Sequence, residues 1–296
     1  MKNKKSTHLL NKPYALPILT ATLIIAALLT TTITLTRNSP LLCSSINSNS
    51  PPSEETNYDH ETMKSQMQAI VHYATSEIVP QQSLKEITIS LNVLQSLYPC
   101  NFLVYGLGYD SIMWSSLNPK GTTLFLEEDP IWVQTVLKDS PNLHVHTVHY
   151  PTRLSEADQL LSIYKTIPSC LPLNLNLKGR DPKDQSPCPL LLTSLPEEVY
   201  EREWDLIMID APRGYFSEAP GRMGAIFTAA AMARARTRPG KTHVFVHDVN
   251  RRVEKMFALE FLCRKYLVEA VGRLWHFEIP PAPANLSQGG TGATFC

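Results

Sequence analysis

The sequence predicts an α/β fold of the doubly wound, Rossmann-like kind with about seven strands. Three observations predict it. Short apolar runs alternate with helical stretches from residue 83 onward, as parallel strands joined by crossover helices require. Most of these runs end abruptly in Gly, Glu, Asp or His, the residue types that serve ligands beyond strand ends. The last two runs are separated only by a short turn with Gly272, so one closing strand is antiparallel. A hydrophobic content of 43% against 18% charged residues over 296 residues supplies a sizeable core and excludes a disordered or collagen-like chain.

The elements follow in order. Met63, Met67, Ile70, Val71, Ala74 and Ile78 recur at helical spacing, predicting a first helix with one apolar face. Ser83 and Glu86 form a capping box opening a second helix with Ile87, Leu91 and Leu94 on one side. Strands are expected at 101–105, 122–126, 143–148, 204–209 and 242–246, with a closing pair at 266–269 and 273–279. Helices are expected at 111–117, 130–138 (with Pro130 in its first turn), 154–164, 221–236 and 253–263. Residues 204–209 are the clearest buried strand, and 221–236 carries an Ala-rich face suited to close packing on a sheet. Residues 168–196 are a Pro-rich irregular insertion. This pattern, with its terminal hairpin, differs from a dehydrogenase sheet and fits the methyltransferase variant of the fold.

The formal net charge of zero conceals an asymmetry. The first 53 residues hold Lys2, Lys4, Lys5, Lys12 and Arg37 and no acid, which leaves 22 basic and 27 acidic residues in the remainder, a net charge of about −5. Such a body is a poor candidate for nucleic acid, which selects clustered positive charge. Residues 14–35 carry no charge and are long enough for one transmembrane helix, moderated by seven threonines between Thr20 and Thr36. Lysines precede the span, so the positive-inside rule predicts a type II signal anchor. The expected organisation is a cytosolic tail at 1–13, the anchor at 14–35, a Ser/Asn/Pro-rich lumenal stem at 36–58 and a lumenal catalytic domain at 59–296. A lumenal body puts Cys43, Cys100, Cys170, Cys188, Cys263 and Cys296 in an oxidising space without Cys-x-x-Cys spacing. Cys170 and Cys188 bracket a Pro-rich loop and are the most natural disulfide. Asn285-Leu286-Ser287 is a sequon.

The chemistry is expected beyond the carboxyl ends of the strands. Gly106 and Gly108 let backbone approach a ligand, although the third glycine of a dinucleotide fingerprint is missing. Glu127, 21 residues past Gly106, or its neighbour Glu128 can accept ribose hydroxyls. A glycine turn, a spaced acid and a hairpin end together suit S-adenosylmethionine. Asp210 and His247-Asp248 end the next two strands. They admit three readings: a divalent metal ion held by Asp210, Asp248 and either His247 or Asn250; general acid–base work by Asp210, His247 or Asp248; or loop capping. Arg213, Arg222, Arg251 and Arg252, with Tyr215, lie near these loops and suggest an anionic substrate group. His144 and His146 share one face of their strand, but no third ligand is evident, so they read as structural.

Residues 101–111, 123–130, 204–215, 219–223, 243–255, 260–266 and 272–281 resemble the plant glucuronoxylan 4-O-methyltransferases. The resemblance spans about 83–281. It implies a Golgi type II membrane enzyme that transfers methyl from S-adenosylmethionine to O4 of glucuronic acid side chains on xylan, working beside xylan-synthesis enzymes. A related subgroup has no firmly assigned chemistry, and a non-catalytic Golgi scaffold for xylan assembly is the alternative. Gly224 stands where the family pattern leads one to expect Ala. A nucleotide-sugar glycosyltransferase would usually carry Asp-x-Asp, which is absent from the sequence.

Overall fold

The computed structural model describes residues 54–172, 177, 187–283 and 294–296; the expected tail, anchor and most of the stem, Cys43 and the sequon lie outside the described residues. Among the described residues no helix is long and apolar enough to cross a membrane. The described unit runs over Glu54–Cys296.

Helix α1, Glu54–Thr75, begins within the expected stem. Its apolar stripe stays exposed at Met63, Met67, Ile70 and Val71. The helix meets the body through other residues, with Ala69 buried, Gln66 donating to the Ser116 carbonyl and the Tyr73 hydroxyl to the Tyr109 carbonyl. Periodicity defines a face but not which face the body covers. Helix α2, Leu84–Leu97, has both halves of its capping box and buries Ile89 and Leu94. Glu86 is then reused, because its Oε1 also accepts from the Arg273 backbone N–H at 2.6 Å. That contact explains Gly272, which has φ +56°, and where an added Cβ would stand 2.6 Å from the same oxygen.

The remaining order is β1 (Asn101–Tyr105), α3 (Ser111–Ser116), β2 (Thr122–Glu127), α4 (Pro130–Asp139), β3 (His144–Thr147), α5 (Ala157–Ile163), α6 (Glu197–Glu201), β4 (Leu206–Ile209), α7 (Met223–Arg234), β5 (Thr242–Val246), α8 (Arg252–Phe257), β6 (Leu267–Val271) and β7 (Leu274–Ile279). These strands form a seven-stranded sheet in the order β3-β2-β1-β4-β5-β7-β6. Strands β1 to β5 pair in parallel, and β7 runs antiparallel to both β5 and β6. The expected Rossmann-like methyltransferase sheet with its terminal hairpin is therefore present. Alternate residues of β1 serve two cores: Leu103 and Tyr105 join one cluster with α7, while Phe102 and Val104 join another with α2.

Several details depend on distant packing. The expected helix at 253–263 is α-helical only to Phe257 and continues as a π-helix over Ala258–Cys263. The Cys170–Cys188 disulfide forms, as the loop composition suggested. A second one, Cys263–Cys296, was not expected; it accompanies the return of the carboxyl terminus, where Phe295 packs on Phe227 and Phe261. Gly224 has a packing reason. A Cβ there would lie 3.0 Å from Leu192 Cδ2, so glycine admits the end of the Pro-rich insertion onto α7, offsetting its helix cost of about 1 kcal/mol.

Candidate active site

The strand order reverses its direction of growth at β1, between β2 and β4, where open α/β sheets bind ligands. A cavity of about 220 Å³ lies there, lined among others by Gly106, Gly108, Asp110, Glu127, Trp132 and Asp210. Gly106 has φ +124°, and a Cβ on it would meet Ala211 Cβ at 3.2 Å, so this turn needs glycine. Glu127 ends β2 with its carboxylate held by backbone: Oε2 accepts from Leu107 N at 3.0 Å, and Oε1 from Glu128 N at 3.0 Å and Asp129 N at 3.1 Å. Burial raises its pKa, and these bonds oppose the rise. Asp129 caps α4 by accepting from Ile131 N and Trp132 N. The Trp132 indole donates to the Leu107 carbonyl and meets the Tyr109 ring edge-on at 5.6 Å, giving the cavity an aromatic wall.

Asp210, at the end of β4, accepts from His247 Nδ1 at 2.8 Å and pairs with Arg222 Nη2 at 3.2 Å. Burial would raise its pKa, but the His247 hydrogen bond and the Arg222 charge outweigh burial and hold it below the usual carboxylate range. Burial and the Asp210 charge push Asp110 the other way. His247 is fully buried; its Nε2 lies 3.9 Å from Glu86 Oε1. Gln82 is buried at the cavity wall, and its Oε1 lacks a hydrogen-bond partner among the described residues.

Asp248 sits differently. Its side chain is 3% exposed and faces three guanidinium groups: Arg222 at 3.0 Å, Arg251 at 2.9 Å and Arg273 at 2.6 Å. The expected metal set Asp210, Asp248 and Asn250 is revised on this point. Donor atoms of Asp210, His247 and Asp248 lie within 4.8 Å of one another, whereas Asn250 is exposed. Arginine charges already neutralise both carboxylates, and one of those charges bridges them. These residues therefore do not fit a divalent cation. The same geometry leaves Asp248 without a free face for base work.

The expected substrate arginines separate as well. Arg222 is buried and braces the loops, donating to the carbonyls of Pro212 and His247 as well as to Asp248. Arg213 is engaged by Glu128 at 2.9 Å and Asp129 at 3.2 Å, which also turns Glu128 away from a ribose role. Arg252 pairs with Asp158 on the surface. Arg251 remains partly exposed beside Asp248, and Tyr215 is exposed, with its ring against Phe216. Arg273 was not among the sequence candidates. It donates to both Asp248 and the carbonyl of Gln81, a cavity residue, which puts a half-exposed guanidinium at the rim. Its place after a turn glycine gave no signal; only the antiparallel return of β7 beside β5 brings it there.

The sequence pattern of the IRX15/IRX15L/GXM family matches residues 85–277. The chain belongs to that family. Among IRX15/IRX15L/GXM relatives, Arabinogalactan O-methyltransferase 1 of Arabidopsis thaliana is 62% identical, with 80% of this chain and 81% of that protein covered. Arabinogalactan O-methyltransferase 2 of the same plant is 56% identical over 100% of this chain and 98% of its own length. Glucuronoxylan 4-O-methyltransferase 2, also from Arabidopsis thaliana, is 50% identical over 77% of this chain and 74% of its own. The family expected from sequence is thus shown; within it, the arabinogalactan relatives exceed the glucuronoxylan relative in identity.

Proposed function

We propose that this IRX15/IRX15L/GXM chain is an S-adenosylmethionine-dependent O-methyltransferase acting on a glucuronic acid residue of a plant polysaccharide, with arabinogalactan as the preferred acceptor. The observation that carries the reading is the cavity at the β1, β2 and β4 ends. It presents the carboxylates of Asp110, Glu127 and Asp210, and among the described residues no lysine or arginine lines it. That charge pattern suits a cofactor bearing ammonium and sulfonium groups and disfavours a pyrophosphate, which takes basic partners. The identity of 56–62% to arabinogalactan O-methyltransferases supports the acceptor.

Bound S-adenosylmethionine supplies an electrophilic methyl group. Glu127, fixed by three backbone N–H groups, accepts from the ribose, and the glycine turn lets the backbone approach. Asp210 receives the proton of the attacking sugar hydroxyl, O4 in the reading drawn from the glucuronoxylan relatives, while His247 and Arg222 hold its carboxylate in place. Arg273, at the rim, meets the uronate carboxylate. Much of the rate gain comes from holding the two reactants in line, an effect worth roughly 7–11 kcal/mol in well-oriented systems. The lysine-rich head and uncharged span at 14–35 support a single-pass type II placement with a lumenal catalytic unit, in the Golgi as the resemblance to the glucuronoxylan 4-O-methyltransferases implies.

The test is methyl transfer from labelled S-adenosylmethionine to arabinogalactan and glucuronoxylan oligosaccharides. A higher kcat/KM on arabinogalactan is expected, and preference for glucuronoxylan would restore the narrower xylan assignment. Methylation of neither would overturn the proposed acceptor class. For the cofactor, Glu127→Gln should raise the Kd for S-adenosylmethionine at least about tenfold by calorimetry, the usual scale for losing a hydrogen bond to a charged group.

A further inference from the structure

On β3, alternation gives His144 and His146 a shared face, and the fold adds the third group that the sequence did not reveal. Glu198, on α6, brings Oε1 to 2.9 Å from His144 Nε2 and 2.5 Å from His146 Nε2. We propose that His144, His146 and Glu198 form a binding site for one divalent transition-metal ion of the zinc type, which clips α6 to the edge strand. The site is separate from the proposed methyl-transfer cavity and does not depend on that reading.

The geometry carries the proposal. Both imidazoles direct Nε2 at the same carboxylate oxygen, and the three donor atoms lie within 4.8 Å of one another. The rings are 5.3 Å apart and tilted, not stacked face to face. Zinc bonds of about 2.0–2.2 Å in a tetrahedron put ligand atoms about 3.4 Å apart. The observed 2.9 and 2.5 Å separations need only a small opening, which a glutamate side chain on a short helix can supply. Two imidazoles and a carboxylate select zinc, cobalt, nickel or copper over magnesium or calcium. The side chains are 44%, 35% and 31% exposed, so water can complete the coordination. Among the described residues, strand β3 lies at the end of the sheet and pairs only with β2. A metal clip there would hold a helix across an otherwise open edge.

The test uses the purified full-length chain, stripped with chelator and titrated with Zn²⁺ by calorimetry and with Co²⁺ by visible absorption. One ion per chain is expected at this site. His146→Ala and Glu198→Gln should each weaken Zn²⁺ binding more than about 100-fold, beyond the cost of losing a partner outside the coordination shell, whereas Asp210→Asn should leave it intact. Absence of saturable Zn²⁺ binding to the parent chain would overturn the proposal. So would unchanged affinity in Glu198→Gln, a nearly isosteric surface change that tests the site even if a histidine variant folds poorly.

Discussion

Asp210→Asn should lower the rate of methyl transfer by about 10²–10⁴-fold, the range for losing a positioned general base, while S-adenosylmethionine binding persists. Asn is nearly isosteric and keeps a side-chain oxygen facing His247 Nδ1, so the variant removes the proton acceptor with little change in packing. Single-turnover transfer measured beside calorimetric cofactor binding separates the two effects. A rate within tenfold of the parent would remove Asp210 from the base role. The pH dependence has a defined sign. Burial raises the Asp210 pKa, but His247 and Arg222 together lower it further. Parent activity should therefore hold from neutral pH through the ordinary carboxylate range and fall only as pH drops through the lowered value. The Asn variant should lack that limb.

Asp248→Asn should behave differently, losing stability before chemistry. Asp248 has φ +59°, a left-handed conformation that Asn tolerates, so the backbone survives the change. What disappears is the single negative charge between Arg222, Arg251 and Arg273. Breaking a buried ion pair costs about 3–5 kcal/mol. The lower end applies because Arg251 and Arg273 reach solvent, while the buried Arg222 retains Asp210. For a unit of this size that is a fall of roughly 10 °C in Tm. Thermal unfolding should show it, and cofactor binding and turnover should decline together with the folded fraction. Unchanged Tm with turnover abolished would instead return Asp248 to the catalytic centre.

These two aspartates show why the site was only partly legible. Asp210 and Asp248 each follow an apolar strand and look equivalent in the sequence, so metal, base and capping roles were all open. Three-dimensional packing separates them. Asp210 keeps a face on the cavity, whereas three arginines from residues 222, 251 and 273 converge on Asp248. The first two were visible as a cluster of positive charge, but their direction was not, and they turn inward to carboxylates in place of outward to a substrate. Arg213 and Arg252 are likewise engaged by Glu128 and Asp158, partners 85 and 94 residues away in sequence.

Local chemistry by itself determined the strands and their order of appearance, the Ser83–Glu86 cap, the glycine turn after β1, the acid after β2 and the terminal hairpin. Each of these depends on a side-chain period, a cap or a backbone conformation that neighbouring residues dictate. Only the tertiary structure decided which acid faces the cavity, which arginines are braces, that the apolar stripe of α1 stays exposed, and that Glu198 meets His144 and His146. Those outcomes depend on charges and surfaces brought together from distant segments. Coulombic and hydrogen-bond energies follow distance in space, which sequence separation does not encode.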